Sequence, residues 1–478
     1  MSGYYNGLER SANQENIVRR HITTIYPLFL AVLAIAPRCA TAQGDPPKPV
    51  SFIREVAPIL VGACQACHGP KTAESNYRLD TFEMLMQPGD FGTPPVTAGN
   101  VDDSEFYRLI TADDSHARMP NNGGRLADSE IQTIANWILQ GAKFDGQNAA
   151  TPLRDQIPRD IPHPAAPTAY PAAIPITAMA FTSDGSQLLV GGYHELLIWD
   201  PAAAKLVAHV GNIPQRTFGM AFSPDNSWLA VAGGSPGVAG EVRLIPWEGG
   251  PKRDAEPTIL ATQEDVFFDV AFRPDGKQLA ASGADGSVRV FDVPAGTLRL
   301  KINSHSDWAT GVCYSPDGKL IATASRDKMA KVFDAETGSL LVTHSEHNAP
   351  VRDVAFAPDG KAVISAGGNR IRVWNVQDSK LVGEMTGFEN DIEALLAGGE
   401  NVVGASADRS VRQFKLADRT LIRTLAPHPA WVVSLAWHPA SHRLAGGSFD
   451  GAVTVWDLEN GAMVKQFLAI PLVGKASN

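Results

Sequence analysis

The chain has 478 residues, and its 41 Lys and Arg against 51 Asp and Glu give a formal net charge of −10. This acidic balance argues against a nucleic-acid-binding protein, which needs a basic face. With 44% apolar and 19% charged residues, the chain is too apolar to be disordered, and its 43 Gly and 34 Pro favour β structure rich in turns.

The first 42 residues have the pattern of a secretory signal peptide. A basic cluster at 19–21 precedes a 12-residue apolar core at 25–36, and small residues at 40–42 fit a cleavage site. A membrane anchor is the competing interpretation, but the core is shorter than the ~18 residues that span a membrane. Cleavage removes Cys39 and leaves 37 basic and 49 acidic residues, a net charge of −12. We therefore expect an exported acidic protein, periplasmic in a bacterium, with no transmembrane segment after cleavage. The general secretory route fits better than the twin-arginine route.

Residues 43–146 carry an attachment motif for a c-type haem. Cys64, Cys67 and His68 form a C-x-x-C-H sequence. On the first turn of a helix, two thiols three residues apart can reach the two vinyl groups of one haem, and the adjacent histidine becomes an axial ligand. A redox disulfide and half a zinc site are the alternatives. The first lacks a βαβ unit here, and the second lacks another cysteine pair, so the motif predicts one covalent haem c and its iron.

The opposite face of the haem needs a second ligand or an open site. Met119 lies in a polar, Gly-rich loop, 51 residues after His68. A thioether on such a loop gives the His/Met iron of electron-transfer cytochromes. His116, three residues earlier, is the rival ligand, and an open site is the third interpretation.

Helical spacing surrounds the motif. Phe52, Val56, Ile59 and Leu60 share one face of a helix that precedes it. A second helix is predicted to begin with Asp128 as its N-cap and to stop at Gly141, with Trp137 packed near the haem or the first helix. Its apolar face carries Ile131, Ile134, Ala135 and Ile138. Because this all-α domain has only ~100 residues, the haem must supply much of its core.

These features resemble the planctomycete-type cytochrome c domain over residues 52–142. The resemblance implies that Cys64 and Cys67 form the thioethers and that His68 and Met119 are the axial ligands. The family often has a Gly pair where this chain has Pro88-Gly89, a departure that concerns loop shape and not haem binding. The remaining matched positions are Phe52, Pro58, Ile59, Leu60, Gly69, Arg78, Leu79, Asp80, Gly99, Asp103, Ser104, Tyr107, Arg108, Leu109, Ile110, Pro120, Leu126, Trp137, Ile138, Gly141 and Ala142.

A Pro-rich linker is predicted at 147–172, followed by a repeat array at 173–470 and a short tail at 471–478. Seven related segments recur with a period of ~40–45 residues, each with short alternating strands and an aromatic-acidic close. This array resembles the WD repeat family, so we expect an all-β propeller of seven blades. Its regular turn aspartates are Asp184, Asp225, Asp275, Asp317 and Asp359.

The repeated polar residues of the array are interpreted as structural. His305, His347 and His428 precede Asp327, Asn369 and Asp450, each by 22 residues. These pairs, with a following aromatic residue at Phe333, Trp374 or Trp456, resemble the hydrogen-bond network within WD blades. Cys313 aligns with small residues of the other repeats and is predicted to lie on an inner strand, not to act as a nucleophile.

The leading functional hypothesis is an exported one-electron carrier whose propeller is a partner-binding platform. One alternative is a redox enzyme with its substrate site in the propeller channel and the haem as electron outlet, although we find no catalytic constellation. The other is a haem-based sensor. Residues 43–146 hold 8 basic and 14 acidic residues, so a redox partner should present a basic docking face. A protein ligand is expected on the propeller, and no nucleic acid.

Overall fold

The computed structural model describes residues 49–90, 92–121, 124–146, 148–157, 161, 163–251, 257–425 and 427–474. The predicted signal peptide, Cys39 and the last four residues of the tail lie outside these ranges. The described residues from Pro49 onward belong to one contact unit. Among the described helices, none combines the length and apolar character that a membrane crossing requires.

The segment before the propeller is helical. A π-turn at Phe52–Val56 leads into α1, and a 3₁₀ turn follows the haem motif at Glu74–Asn76. The helices are α1 (Ala57–Ala63), α2 (Phe82–Leu85), α3 (Glu105–Thr111), α4 (Asp128–Leu139) and α5 (Leu153–Gln156).

The apolar face predicted before the motif is the centre of this helical domain. Phe52, Val56 and Leu60 are fully buried. The ring of Phe52 lies 5.1 Å from that of Trp137 and 4.9 Å from that of Phe82, which joins the first helix to α4 and α2. The prediction that Trp137 packs near the first helix is therefore confirmed.

The ends of α4 differ slightly from the sequence prediction. Ala127, not Asp128, is the N-cap residue. An alanine has no side-chain oxygen, so the cap relies on Glu130, whose carboxylate accepts a hydrogen bond from the Ala127 backbone N–H at 2.8 Å. The helix ends at Leu139, and Gly141 follows with φ of +97°, a conformation that glycine adopts without strain.

From residue 179 the chain is a seven-bladed β-propeller, which confirms the predicted fold class. Each blade is a meander of four consecutive antiparallel strands. Blade 1 contains β1 (Met179–Phe181), β2 (Leu188–Gly191), β3 (Leu196–Asp200) and β4 (Lys205–Val210). Blade 2 contains β5 (Arg216–Phe222), β6 (Trp228–Ser235), β7 (Ala239–Pro246) and β8 (Thr258–Gln263). Blade 3 contains β9 (Phe267–Phe272), β10 (Gln278–Gly283), β11 (Ser287–Asp292) and β12 (Leu298–Asn303). Blade 4 contains β13 (Ala309–Tyr314), β14 (Leu320–Ser325), β15 (Ala330–Asp334) and β16 (Leu340–His344).

The last three blades have the same plan. Blade 5 contains β17 (Val351–Phe356), β18 (Ala362–Gly367), β19 (Arg370–Asn375) and β20 (Leu381–Met385). Blade 6 contains β21 (Ile392–Gly398), β22 (Asn401–Ser406), β23 (Val411–Lys415) and β24 (Leu421–Thr424). Blade 7 contains β25 (Val432–His438), β26 (Arg443–Ser448), β27 (Ala452–Asp457) and β28 (Met463–Leu468). The first strand of each blade is the inner one, and β1 packs against both β5 and β25 to complete the ring.

The repeated aspartates hold the turns between the first two strands of a blade. In blade 4, the Ser315 hydroxyl and the Lys319 backbone N–H donate to Oδ1 of Asp317 at 2.7 and 3.1 Å. Gly318 has φ of +71° in the same turn. These local requirements explain why the turn sequence recurs in every strong copy of the repeat.

The first and last blades are joined by the segments that flank the repeats. The backbone N–H of Tyr170 donates to the carbonyl of Pro471 at 2.7 Å, and the N–H of Val473 donates to the carbonyl of Tyr170 at 2.9 Å. The N–H of Ile176 donates to the carbonyl of Ser448 at 3.0 Å. Because every blade uses four consecutive strands, the ring closes through these contacts and the packing of β1 against β25, and not through a shared strand.

The predicted histidine network forms in blade 4, forms in blade 5 without its turn residue, and is absent from blade 7. In blade 4, His305 contacts Asp327 at 2.8 Å and Thr323 at 2.7 Å, as predicted. In blade 5, Nε2 of His347 bonds Ser365 at 2.7 Å, and Ser365 also accepts from the Trp374 ring at 2.7 Å, but Nδ1 accepts from Arg372 instead of pairing with Asn369. Asn369 instead donates to a backbone carbonyl, that of Phe388 at 3.2 Å.

Blade 7 lacks the predicted bond between His428 and Asp450. Asp450 instead accepts from the Ser448 hydroxyl two residues earlier. A local side-chain bond of this kind competes with the longer-range contact. Within the described chain, both ring nitrogens of His428 are buried without a hydrogen-bond partner.

The segment predicted as a Pro-rich linker contacts both the helical domain and the propeller. Leu153 of α5 is fully buried in the core of the helical domain. Asp155 of the same helix forms an ion pair of 2.8 Å with Lys301 on the outer strand of blade 3, with both side chains largely buried. A Pro-rich composition predicts stiffness, but it does not reveal that a turn of helix bridges these two surfaces.

Blade 5 should make the protein sensitive to acid. Arg372 donates to Nδ1 of His347 at 2.8 Å, so this nitrogen must stay unprotonated. Burial and Arg372 lower the pKa of His347 to about 4, and burial lowers the pKa of His344 to about 4. Since histidine has a pKa near 6.5 when unfolded, the unfolded chain binds more protons as pH falls from 6.5 to 4, and stability is lost. At pH 4.5 we expect each histidine to cost about 2 kcal/mol.

Thermal unfolding of the whole chain between pH 7 and pH 4.5 checks this prediction. The His347→Gln variant keeps an acceptor for Arg372 but does not titrate, so its unfolding temperature should depend less on pH. His442→Asn is the matched control, because His442 is exposed and has φ of +54°, which asparagine tolerates. Parallel pH profiles for wild type and His347→Gln would contradict the assignment.

Candidate haem site

The C-x-x-C-H motif forms the turn that ends α1, not the first turn of a helix as predicted. The backbone N–H of Cys64 donates to the carbonyl of Leu60 at 3.0 Å, and that of His68 donates to the carbonyl of Cys64 at 3.0 Å. The helix precedes the motif because the apolar face that contains Leu60 is buried there. The closing turn still holds Cys64 and Cys67 three residues apart, with the N–H of Cys67 donating to the carbonyl of Cys64 at 3.2 Å.

The two cysteines of the motif differ in exposure. Cys64 is 8% exposed and belongs to the apolar core, whereas Cys67 is partly exposed. Burial raises the pKa of the Cys64 thiol to about 12, while reactive or metal-binding cysteines have lowered values. Within the described ranges, no three His, Cys, Asp or Glu side chains are arranged to bind a metal ion, so the partners that a zinc site needs are missing there.

His68 is oriented by a backbone carbonyl. Its Nδ1 lies 3.1 Å from the carbonyl oxygen of Tyr77, which can only accept a hydrogen bond. Nδ1 therefore carries the proton, and the lone pair of Nε2 is left for a ligand on the other side of the ring. Iron-binding histidines use this arrangement, in which the second nitrogen fixes the ring. The Tyr77 ring packs edge-on against His68 at 5.7 Å.

The loop after the motif is held tightly to it. The N–H of Leu79 donates to the carbonyl of His68 at 2.7 Å, and the Gln65 side chain donates to the carbonyl of Leu79 at 3.1 Å. A side chain at Gly69 would overlap the carbonyl oxygen of Gln65, so the close approach requires glycine. The loop that supplies the Tyr77 carbonyl is thus preorganised.

Met119 and His116 occupy different environments. Met119 is partly buried against the apolar core that contains Cys64, and its N–H donates to the carbonyl of Leu109 at the end of α3, at 3.0 Å. The His116 side chain is exposed, and its backbone N–H donates to Asp114 at 2.9 Å. The arrangement brings the thioether, not the imidazole, to the apolar side of the motif.

Sequence reasoning did not identify the backbone carbonyls of Tyr77 and Leu109 as contacts of the site. Each contributes a backbone carbonyl, which every residue type possesses, so no sequence pattern distinguishes them. Tyr77 also donates from its hydroxyl to the carbonyl of Leu85 at 2.9 Å, which links the loop to α2. These contacts depend on how the loop folds back onto the helices.

The propeller channel offers buried carboxylates, but they join neighbouring blades. Asp269 of β9 accepts from the N–H of Val312 in blade 4 at 3.0 Å, and Asp353 of β17 accepts from the N–H of Leu395 in blade 6 at 2.7 Å. Cys313 lies on inner strand β13, as predicted, and burial raises the pKa of its thiol well above the usual value. These groups are engaged in holding the ring together.

Two family models match separate parts of the chain. The model described as Planctomycete cytochrome C matches residues 64–123, which contain the motif and Met119. The model described as WD domain, G-beta repeat matches residues 258–292, 296–334, 338–375 and 419–457. Each WD match begins at the outer strand of one blade or just before it, and runs through the third strand of the next.

Curated relatives match the propeller. WD repeat-containing protein VIP3 of Arabidopsis thaliana is 34% identical over 99 residues, which are 20% of this chain and 31% of the relative. Periodic tryptophan protein 2 homolog of Schizosaccharomyces pombe is 31% identical over 93 residues, 19% of this chain and 11% of the relative. Its Mus musculus counterpart is 26% identical over 257 residues, 52% of this chain and 27% of the relative. The chain therefore spans less than a third of each of these proteins.

The cytochrome match lies within the helical segment that contains the C-x-x-C-H motif. The WD matches cover strands of the propeller blades. The chain joins a domain that matches the planctomycete cytochrome c family to a seven-bladed WD repeat propeller.

Proposed function

We propose that the protein is an exported one-electron carrier with a single covalent haem c, and that its propeller is a platform for protein partners. The observation that carries the proposal is the orientation of His68, whose Nδ1 is bound by the Tyr77 carbonyl so that Nε2 is free to bind iron. The C-x-x-C-H motif and the cytochrome family match support the same assignment.

Four residues of the site would hold the haem. Cys64 and Cys67 would hold the haem covalently through thioethers. His68 and Met119 would bind its iron, and the bound haem would supply a one-electron couple. The surrounding apolar core, which includes Phe52 and Leu60, excludes water and favours a raised reduction potential.

The proposal includes export of the protein from the cytoplasm. The signal pattern at 1–42 supports it, and so does the motif, because c-type haem is attached outside the cytoplasm. We therefore propose that the protein acts in the periplasm. For the propeller, the WD matches support a role in binding proteins, since WD propellers present ring-shaped surfaces built from repeated loops.

A spectroelectrochemical titration of the purified full chain tests the proposal. We expect one haem per chain and a reversible one-electron Nernst curve, with no binding of carbon monoxide by the reduced protein because both axial positions are filled. Rapid carbon monoxide binding would favour the sensor hypothesis. Turnover of a small substrate with stoichiometric haem reduction would favour the enzyme hypothesis. Either result would overturn the electron-carrier assignment.

The charge of the helical domain predicts the sign of its partner. Residues 43–146 carry 8 basic and 14 acidic residues, so a basic docking face should be attracted to this domain. Stopped-flow electron transfer to a basic and to an acidic cytochrome of similar potential measures the effect. With the basic partner, the rate should fall as salt rises to ~0.5 M, where the Debye length is about 4 Å. A rate that rises with salt for the basic partner would contradict the prediction.

A further inference from the structure

Two aromatic side chains lie together and half exposed on blade 7. Trp431 immediately precedes inner strand β25, and Phe449 lies in the turn between β26 and β27. Their ring centroids are 5.7 Å apart, and the side chains are 49% and 54% exposed. Isolated exposed apolar residues are common, but an adjacent Trp and Phe on loops form the kind of anchor surface that protein interfaces use.

In blade 4, a tryptophan at the corresponding position is covered by an arginine of the same chain. Trp308 immediately precedes inner strand β13, and Arg326 lies in the turn between β14 and β15. The guanidinium carbon of Arg326 sits 4.7 Å from the centre of the Trp308 ring. Asp307 lies 3.5 Å from the same guanidinium group. The tryptophan of this blade therefore holds an arginine from its own chain.

The backbones of the two blades correspond at these positions. The N–H of Arg326 donates to the carbonyl of Trp308 at 3.0 Å, and the N–H of Phe449 donates to the carbonyl of Trp431 at 2.8 Å. Phe449 thus occupies the position of the arginine. Over the described part of the chain, no Lys or Arg side chain lies across the Trp431 ring, so the exposed half of this side chain is available to a cation from a ligand.

Carboxylates of blade 6 stand beside this position. Asp391 immediately precedes β21 as Trp431 precedes β25, and these two inner strands pack against each other. Glu389 is exposed in the same loop, whereas the side chain of Asp408 in the neighbouring turn is largely buried and is paired with Arg412 at 3.8 Å. The two carboxylates of the loop, Asp391 and Glu389, favour a positively charged ligand at the edge of the aromatic pair.

We propose that Trp431 and Phe449 bind an arginine side chain presented by a protein partner. A planar guanidinium can stack on a ring while its N–H groups reach carboxylates, whereas an ammonium is more strongly hydrated and lacks the flat face. This inference rests on the proposed role of the propeller as a partner platform. It makes no use of the haem.

Fluorescence anisotropy with the full-length protein tests the site. The probes are labelled peptides with one central arginine between apolar residues, and matched peptides in which citrulline or lysine replaces it. We expect the citrulline peptide to bind roughly tenfold more weakly, since citrulline keeps the shape and loses the charge. Trp431→Ala should reduce binding at least as much. Leu341→Ala is the control, because Leu341 is 53% exposed but lies on the outer strand of blade 4.

A second variant places an arginine of the protein itself beside Trp431. Phe449→Arg recreates the pair that Arg326 makes with Trp308, so it should abolish peptide binding while circular dichroism and thermal unfolding show a folded chain. Unchanged binding in Phe449→Arg, equal affinity for arginine and citrulline peptides, or no binding of any arginine peptide at millimolar concentration would overturn the proposal. Protein without covalent haem should bind the peptide normally, so this test and the test of electron transfer fail independently.

Discussion

Replacing both Cys64 and Cys67 by alanine is expected to abolish covalent haem attachment. In the wild type, acid-acetone extraction should leave the haem on the polypeptide, and a denaturing gel stained for haem peroxidase activity should show the band. The double variant should show no such band, because no thioether can form. Since a helical domain of ~100 residues has a small core of its own, we also expect this domain to lose protease resistance without haem.

Cys313→Ala is the matched control for this experiment. Cys313 is the remaining cysteine of the described chain, and it lies on inner strand β13 of the propeller. The control should retain one covalent haem. Covalent haem in the double variant, or its loss in Cys313→Ala, would show that the attachment site has been assigned to the wrong residues.

Met119→Ala is expected to lower the reduction potential and to remove the weak absorption band of sulfur-ligated ferric haem. Thioether ligation raises the potential, and axial ligands tune it over a range of roughly 0.8 V, so we expect a decrease on the order of 0.1 V or more. Optical redox titration and the near-infrared spectrum of the oxidised protein measure these changes. The open position should also let the reduced protein bind carbon monoxide.

His116→Ala is the comparison that decides between the two ligands. The His116 side chain is exposed, whereas Met119 packs against the core that contains Cys64. We therefore expect His116→Ala to keep the wild-type spectrum and potential. If His116→Ala removed the ligand and Met119→Ala did not, the loop would have to rearrange when haem binds, and Met119 would be a packing residue.

Much of the architecture is encoded by short-range patterns. The spacing of Cys64, Cys67 and His68 matches the attachment motif of a c-type haem, and turn residues such as Asp317 and Gly318 satisfy needs within a few residues of themselves. Such requirements recur in every copy of a repeat, so a single sequence is enough to count seven blades. The face formed by Phe52, Val56 and Leu60 is visible for the same reason, because helical periodicity is local.

Other features depend on contacts between distant residues, which local patterns do not specify. The Tyr77 carbonyl orients His68 through backbone atoms that any residue would provide. In blade 5, Arg372 of the third strand makes the Nδ1 hydrogen bond of His347 predicted for Asn369.

The sequence by itself determined the haem motif, the helical domain and the seven-bladed propeller, since each follows from spacing along the chain. Only the tertiary structure decided that Asp155 meets Lys301, that Tyr170 closes the ring against Pro471, and that Trp431 stays open while Trp308 is covered. The physical reason is that packing brings together side chains and backbone groups whose separation in sequence carries no periodic signal.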